Sequence, residues 1–261
     1  MDVVGQVQSV WRYPVKSMRG ERLESAFVGF SGVYGDRVYA FRNSAAPAGF
    51  PYLTGRELEQ MLLYQPKFRH PDKSRCPPNL AEAQHLAPGL TPIYPEPAEL
   101  VVDIETPAGE VLAIDSPALR DRLRAASAAA EELTLLRSDR ALTDCRLVSL
   151  ISAQTVAALG GEVGEELDQR RFRANIYAVF RSAFAEDAFV GKSLKIGAKA
   201  VISVLERDPR CKMITLDPDT GQESPEVLKA VAQSHQGRVG VYCAVLVEGT
   251  ILPGDPISLL N

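Results

Sequence analysis

The chain has 261 residues, of which 46% are hydrophobic and 24% are charged. A chain of this length and composition can bury a large hydrophobic core, which excludes a disulfide mini-protein, a fibrous protein and a wholly disordered chain. The formal net charge of −4 lacks the basic excess that nucleic-acid-binding proteins usually carry, so we expect no nucleic-acid partner.

The N-terminal part of the sequence predicts short strands separated by turns. Residues 3–11, 22–30 and 37–41 mix β-branched or aromatic residues with polar ones, which is typical of strands. Residues 32–36 contain two glycines and predict a turn, because glycine adopts positive φ without a steric cost. Thr54 is expected to begin a short helix that ends near residue 63.

Residues 65–97 contain eight prolines and predict a long surface loop. Proline lacks a backbone N–H group, so we expect neither a helix nor a central strand in this segment. A hairpin is predicted after the loop, at residues 99–106 and 110–115. Ser116 followed by Pro117 then predicts a helix that continues to about residue 126, because proline is favoured at the first helical position.

The second half of the sequence also mixes strands with short helices. Strands are predicted at residues 147–151, 175–180, 199–206, 239–247 and 256–260, and Ser152 and Ser224 are predicted helix caps. Because no regular helix separates successive strands, the sequence predicts a β-rich α+β fold of barrels with short peripheral helices, and not a doubly wound parallel sheet. We divide the chain into two domains, at residues 1–120 and 121–261.

The cysteines and the apolar segments predict a cytoplasmic protein without a membrane partner. The N-terminus has no basic region followed by an apolar run, and no stretch of 18 apolar residues occurs. The four cysteines, at positions 76, 145, 211 and 243, form no close pair. This spacing is typical of free thiols in a reducing compartment.

Cys211 is the thiol that the sequence favours as a reactive group. It follows a predicted strand and Pro209, and Arg210 and Lys212 flank it. Nearby cations stabilise a thiolate, which is both a nucleophile and a soft metal ligand. On local sequence alone, an inert thiol stays an open alternative for Cys211. Neither Asp144 nor Asp208 is favoured as a general acid, since proximity in sequence to a cysteine is their one qualification.

Five segments occur in a fixed order along the chain. They are Tyr13-Pro14-Val15-Lys16-Ser17, Gly35-Asp36-Arg37, Arg171-Phe172-Arg173-Ala174-Asn175, residues 210–221 around Cys211, and Gly254-Asp255-Pro256. Together they resemble the MOSC-domain family, which includes the mitochondrial amidoxime-reducing component and the C-terminal part of molybdenum cofactor sulfurase. The resemblance implies an N-terminal β-barrel-like domain followed by a MOSC β-barrel, with a cofactor in the cleft between them.

In that family a cysteine sulfur binds the molybdenum of the molybdenum cofactor, a pterin dithiolene (molybdopterin) that ends in a phosphate. The resemblance therefore implies that Cys211 is both the metal ligand and the catalytic residue. The expected cofactor-binding residues are Lys16, Ser17, Arg37, Ser152, Thr155, Arg173, Asn175 and Arg210. Among these, Ser152 and Thr155 are expected to form a phosphate seat, because the N–H groups of a helix start favour anions.

The resemblance implies a molybdenum oxidoreductase that reduces small N-hydroxylated compounds by oxygen-atom transfer. The electrons would come from a separate donor protein or reductant. Two alternatives stay open at this point. One is a non-enzymatic carrier or insertion protein for the molybdenum cofactor, and the other is a sulfur carrier that holds a persulfide on Cys211.

Overall fold

The computed structural model describes residues 2–85 and 96–260, and the remaining part of the predicted proline-rich loop lies outside the described residues. The strands are β1 (Asp2–Arg12), β2 (Glu21–Leu23), β3 (Ala26–Gly29), β4 (Gly32–Val33), β5 (Tyr39–Asn43), β6 (Gln65–Phe68), β7 (Val102–Glu105), β8 (Val111–Ala113), β9 (Leu133–Arg137), β10 (Val148–Ser152), β11 (Ile176–Phe180), β12 (Ser193–Ile196), β13 (Ala200–Pro209), β14 (Arg238–Val247), β15 (Gly249–Ile251) and β16 (Pro256–Leu260). The helices are α1 (Leu80–His85), α2 (Pro117–Ala126), α3 (Ala153–Val163) and α4 (Pro225–Ser234). Short 3₁₀ turns cover Glu59–Leu63, Pro97–Leu100, Gln169–Phe172, Ala185–Phe189 and Lys212–Thr215.

A closed seven-stranded barrel forms most of the second half of the fold. Its strand order is β11-β10-β14-β13-β12-β16-β1, and β1 pairs back with β11 to close it. The N-terminal strand β1 therefore completes a barrel that the second half of the chain builds. Fully buried apolar side chains fill the interior, among them Val10, Leu150 and Ile202. The predicted β-rich α+β fold is confirmed.

A second core lies beside the barrel and belongs to residues of the first half of the chain. It is enclosed by the β5–β9 pair, the β6-β7-β8 sheet and helix α2. Ser116 caps this helix by accepting a 3.1 Å hydrogen bond from the Leu119 N–H, and Pro117 occupies its first turn, as the sequence predicts. Leu119 and Leu123 are fully buried in this core. Helix α2 runs through residue 120, where the sequence analysis divides the chain. The two-domain division at that position stays a prediction.

The proline-rich segment contains more regular structure than the sequence predicts. Gln65–Phe68 forms strand β6, which pairs with β7 and places Pro66 opposite Ile104. The expectation of a loop without helix throughout residues 65–97 is therefore wrong at this strand and at helix α1, Leu80–His85. The physical reason for the strand is that β6 is an edge strand, where a missing N–H group does not interrupt a ladder on both sides. The helix lies in a proline-free stretch, residues 79–87, so no ring interrupts it. Among the described residues, no helix is long and apolar enough to cross a bilayer.

Candidate functional site

A cavity lies between the barrel and the second core and is strongly basic. Seven cationic side chains and two carboxylates line it, although the whole chain has a net charge of −4. The cations are Lys16, Arg37, Arg56, Arg146, Arg171, Arg173 and Arg210, and the carboxylates are Asp144 and Asp208. Such a local excess of positive charge raises the local concentration of anionic ligands.

The structure brings most of the predicted site residues to this one cavity. It is lined by Lys16, Ser17, Arg37, Arg173, Asn175, Arg210 and Cys211. These residues come from the turn after β1, the turn before β5, the segment before β11 and the end of β13. The cavity therefore forms only where both halves of the chain meet.

Three of the lining residues have a left-handed backbone, which is unfavourable for residues other than glycine. The φ angles are 66° at Ser17, 46° at Arg37 and 51° at Arg173. They are three of the five non-glycine residues with positive φ in the described part of the chain. Each such residue costs about 1–2 kcal/mol, and strain of this kind clusters at functional sites. The fold thus accepts backbone strain in order to orient these side chains.

Arg37 and Arg173 hold the ring of Tyr13 between them. Their guanidinium carbons lie 4.8 Å and 4.4 Å from the ring centroid. Arg37 also pairs with Asp36 at 2.5 Å, and although burial opposes its charge, this carboxylate raises the pKa of Arg37. Arg173 has no such partner among the described residues, and burial lowers its pKa to about 10. At neutral pH Arg173 is therefore a half-buried cation that has no carboxylate of its own in the part of the chain that the structure describes.

Three arginines that line the cavity each keep one buried nitrogen without a hydrogen-bond acceptor among the described residues. The atoms are Arg171 Nε, Arg173 Nη2 and Arg210 Nη2. A buried polar group without a partner costs about 1–3 kcal/mol, and more where it is charged. Three such donors in one cavity fit a ligand with several acceptor oxygens or ring nitrogens, such as a phosphate-bearing pterin.

Cys211 lies half-buried in the wall of this cavity, immediately before the 3₁₀ turn Lys212–Thr215. Its two neighbours in sequence are both paired with carboxylates. Arg210 pairs with Asp208 at 2.9 Å and donates to the Val239 carbonyl at 2.7 Å. Lys212 is not among the lining residues, since its ammonium pairs with Glu59 at 2.5 Å. The flanking cations that the sequence associates with the thiol are thus held by carboxylates.

Two family models match the chain. The model of the MOSC N-terminal beta barrel domain matches residues 4–145, and the model of the MOSC domain matches residues 137–258. The chain belongs to the MOSC family. The two MOSC matches overlap at the connection between β9 and β10, close to the cavity-lining residue Asp144.

Relatives of this MOSC protein include mitochondrial amidoxime reducing component 2 of Bos taurus, which is 32% identical over 130 residues. That match covers 45% of this chain and 38% of the relative. Molybdenum cofactor sulfurase of Drosophila grimshawi is 34% identical over 121 residues, covering 43% of this chain and 15% of that protein. The matched region is therefore well under half of either relative.

Two solved structures align with this chain, one over most of it and the other over less than half. The YUAD protein from Bacillus subtilis is 11% identical, with a TM-score of 0.48 over 97% of this chain and 94% of that one. YiiM from Geobacillus stearothermophilus is 22% identical, with a TM-score of 0.37 over 44% of this chain and 55% of that one.

Ser152 and Thr155 are not brought to the cavity of this MOSC protein. Both side chains are fully buried at the start of α3. Ser152 Oγ accepts hydrogen bonds from the first turn of the helix, and Thr155 Oγ1 accepts a 2.7 Å bond from the Phe184 N–H. A carboxylate oxygen of Glu186 accepts the Ser152 N–H at 3.1 Å. The chain's own groups thus occupy the helix start, where a phosphate seat was expected.

Lys16 and Asn175 line the cavity but are also tied into the surrounding structure. The buried Lys16 ammonium pairs with Asp144 and donates to the Leu142 carbonyl at 2.9 Å. Burial lowers the pKa of Lys16, and Asp144 counteracts this effect. Asn175 accepts the Ser149 N–H at 3.2 Å and donates to the Trp11 carbonyl at 3.3 Å. Asn175 therefore fixes the position of β1 against β10, beside the cavity.

Asp208 is a lining residue that sequence reasoning did not favour. Its side chain is 2% exposed, and burial raises its pKa to about 6 although Arg210 and a hydrogen bond with Tyr242 oppose the shift. Asp208 can therefore hold or release a proton near neutral pH within the cavity that Cys211 lines. Other lining residues that were missed are Arg56, Arg146, Arg171 and Tyr242. For Arg171, its place in the Arg171-Phe172-Arg173 segment was an available signal.

Proposed function

We propose that the basic cavity binds the molybdenum cofactor and that Cys211 is the protein's sulfur ligand to the metal. The observation that carries the proposal is a set of three buried guanidinium nitrogens, on Arg171, Arg173 and Arg210, that have no acceptor within residues 2–85 and 96–260. A ligand with a phosphate and a polar pterin ring supplies acceptors for all three. A thiol in the same wall supplies a soft metal ligand. When bound, the cofactor supplies two-electron oxygen-atom transfer chemistry.

The protein's own side chains have separable roles in this proposal. Arg171, Arg173 and Arg210 bind and orient the anionic ligand, and Cys211 holds the metal. The left-handed backbone at Arg173 aims its guanidinium while the Tyr13 ring supports it at 4.4 Å. Lys16 is held beside the cavity by Asp144, so it adds positive charge with little freedom to move.

We propose that the reaction is the reduction of small N-hydroxylated compounds, which the name of the bovine relative supports. The overall change consumes two electrons and two protons, breaks one N–O bond and releases one water. The electrons come from a separate donor protein. Asp208 is placed to hold one of the protons, since its carboxyl group is buried in the cavity wall and has a pKa of about 6. The four free thiols suit action in the cytoplasm.

The test is turnover by protein made in cells that load a known molybdenum enzyme. An amidoxime and a hydroxylamine serve as substrates, and a reduced viologen dye serves as artificial electron donor. We expect the parent protein and Cys145→Ser, whose thiol is exposed, to form the amidine from the amidoxime and the amine from the hydroxylamine, and Cys211→Ser to form neither. Bound molybdenum without turnover would contradict the reductase and favour a cofactor carrier. Absence of both molybdenum and turnover would contradict the whole proposal, and Cys211 would then be assayed for a persulfide.

A further inference from the structure

A second cavity lies on the other side of Arg173, which lines both cavities. Its volume is about 300 Å³, within the range of small-molecule sites. It is bordered by Trp11 and Tyr13 at the end of β1, by Arg19 and Arg22 before and in β2, and by Arg170 and Arg173 of the second half. The Tyr13 ring packs on Arg173 at 4.4 Å and borders this second cavity.

The arginines of this second cavity are incompletely neutralised. Arg170 is paired with Asp168 at 2.6 Å and with Asp219 at 2.5 Å, so its charge is satisfied. Arg19 shares the same Asp219 at 3.2 Å, and its Nε is buried without an acceptor among the described residues. The Arg22 side chain is exposed and has neither an ion pair nor a hydrogen bond in the described part of the chain.

The acidic residue of the cavity does not balance these charges. Glu21 is held by Arg12 at 2.7 Å, away from the arginines just described. Arg19, Arg22 and Arg173 therefore line one cavity with guanidinium groups, which bind phosphate oxygens bidentately.

Aromatic surface lies next to these donors. Trp11 is half-buried, and its indole N–H is already used by Ser9 Oγ at 3.1 Å. The ring packs edge-on against Tyr177, with centroids 6.4 Å apart, and borders the cavity with its remaining surface, so it offers a ligand aromatic surface and no free donor. Flat heteroaromatic bases stack on such rings and on guanidinium planes, with a gain of about 1–3 kcal/mol per base.

We propose that this second cavity binds a nucleoside monophosphate group, with its phosphate on Arg19, Arg22 and Arg173 and its base against Trp11. The group belongs to a free nucleotide or to a nucleotide joined to the ligand of the first cavity, because Arg173 borders both. The binding itself does not depend on molybdenum and goes beyond the proposed reductase function.

Trp11 makes the test direct, because it is the one tryptophan in the sequence. AMP, GMP, CMP and inorganic phosphate are titrated into full-length protein prepared without molybdenum, while tryptophan fluorescence is recorded. We expect saturable quenching by at least one nucleotide. Arg22→Gln, which changes an exposed side chain, should weaken that binding about fivefold, and Arg19→Gln by about tenfold or more. Arg42→Gln, an exposed arginine on β5, is the matched control and should leave the binding unchanged.

A second arm identifies the source of the nucleotide. Molybdenum-loaded protein is denatured, and the released small molecules are analysed by mass spectrometry. One nucleotide per molybdenum would support a joined ligand, whereas nucleotide binding by metal-free protein alone would support a free one. No quenching at millimolar nucleotide and no released nucleotide would overturn the inference, as would equal affinity for inorganic phosphate and every nucleotide. Nucleotide binding by a protein that never loads molybdenum would leave this inference standing and remove the proposed function.

Discussion

Arg37 Nη2 donates a 3.0 Å hydrogen bond to the backbone carbonyl of Arg173, and both residues have a left-handed backbone. This bond joins the turn before β5 to the segment before β11, 136 residues later in the chain. The Tyr13 ring packs between the two guanidinium groups. The wall of the basic cavity is therefore built by contacts between distant segments, and these contacts fix its charges in place.

Arg173→Lys should greatly reduce cofactor retention while the fold is kept. Lysine keeps the positive charge but lacks the planar fork and the buried Nη2 donor of Arg173. A hydrogen bond to a charged group contributes about 1.5–3 kcal/mol, so we expect molybdenum occupancy to fall about tenfold or more under limiting cofactor. The measurement is metal content per chain, with the exposed Arg181→Lys as control. Equal occupancy in Arg173→Lys and the parent would show that the guanidinium does not bind the ligand.

Gly240→Ala should destabilise the protein and disturb Arg210. Gly240 has φ of 72°, and a Cβ atom there would lie 3.0 Å from both Arg210 Nη2 and the Leu150 carbonyl oxygen. We expect a loss of about 1–3 kcal/mol in the free energy of unfolding, measured in urea. Gly161→Ala in α3 is the control, because no atom lies within 4 Å of its Cβ position. It should stabilise the protein by about 0.5–1 kcal/mol, and a similar gain at Gly240 would contradict the structure there.

Asp208→Asn should change how stability depends on pH. The pKa of Asp208 is raised to about 6 in the folded protein by burial, from an ordinary value of 3.8. The folded state therefore binds the proton more tightly, and the contribution of Asp208 to stability is full below about pH 4 and is lost as pH rises through 6. Asparagine has no such titration. From pH 4 to pH 7 we expect the unfolding free energy of the parent to fall relative to that of Asp208→Asn by on the order of 2–3 kcal/mol. Parallel pH profiles for the two proteins would disprove the raised pKa.

Lys212→Gln should have little effect on stability or on molybdenum content. The Lys212 ammonium pairs with Glu59 at 2.5 Å, and both side chains are about one-third exposed, so the pair contributes less than about 1 kcal/mol. Lys212 is also absent from the cavity lining. Urea unfolding and metal analysis check both expectations. A large loss of molybdenum in this variant would restore the role beside Cys211 that the sequence suggests.

Many residues that line the cavity could be predicted from the sequence, because they lie in short segments that follow the same order as in the MOSC family. Lys16, Arg37, Arg173 and Cys211 each stand in one of these segments, and all four line one cavity. The contacts that fill the start of α3 could not be predicted, since Glu186 reaches Ser152 from 34 residues away. A capping serine and a phosphate-binding serine have the same local sequence signal.

The sequence also could not predict that the Asp208 side chain faces the cavity. Side chains alternate along a regular strand, but the register between β13 and β14 shifts between Val204 and Glu206 and again between Arg207 and Pro209. After two such irregularities, the alternation no longer indicates which side chains face the cavity. For the same kind of reason, Pro66 could be placed in strand β6 only once its edge position was known.

The most direct test of the central claim is the molybdenum content of the purified protein, measured by mass spectrometry after expression in cofactor-replete cells. The parent, Cys211→Ser and Cys145→Ser are compared, since Cys145 is an exposed thiol next to the cavity-lining residues Asp144 and Arg146. We predict about one molybdenum per chain in the parent and in Cys145→Ser, and a near-complete loss in Cys211→Ser. Molybdenum retained by Cys211→Ser, or absent from the parent in cells that load a known molybdenum enzyme, would contradict the account.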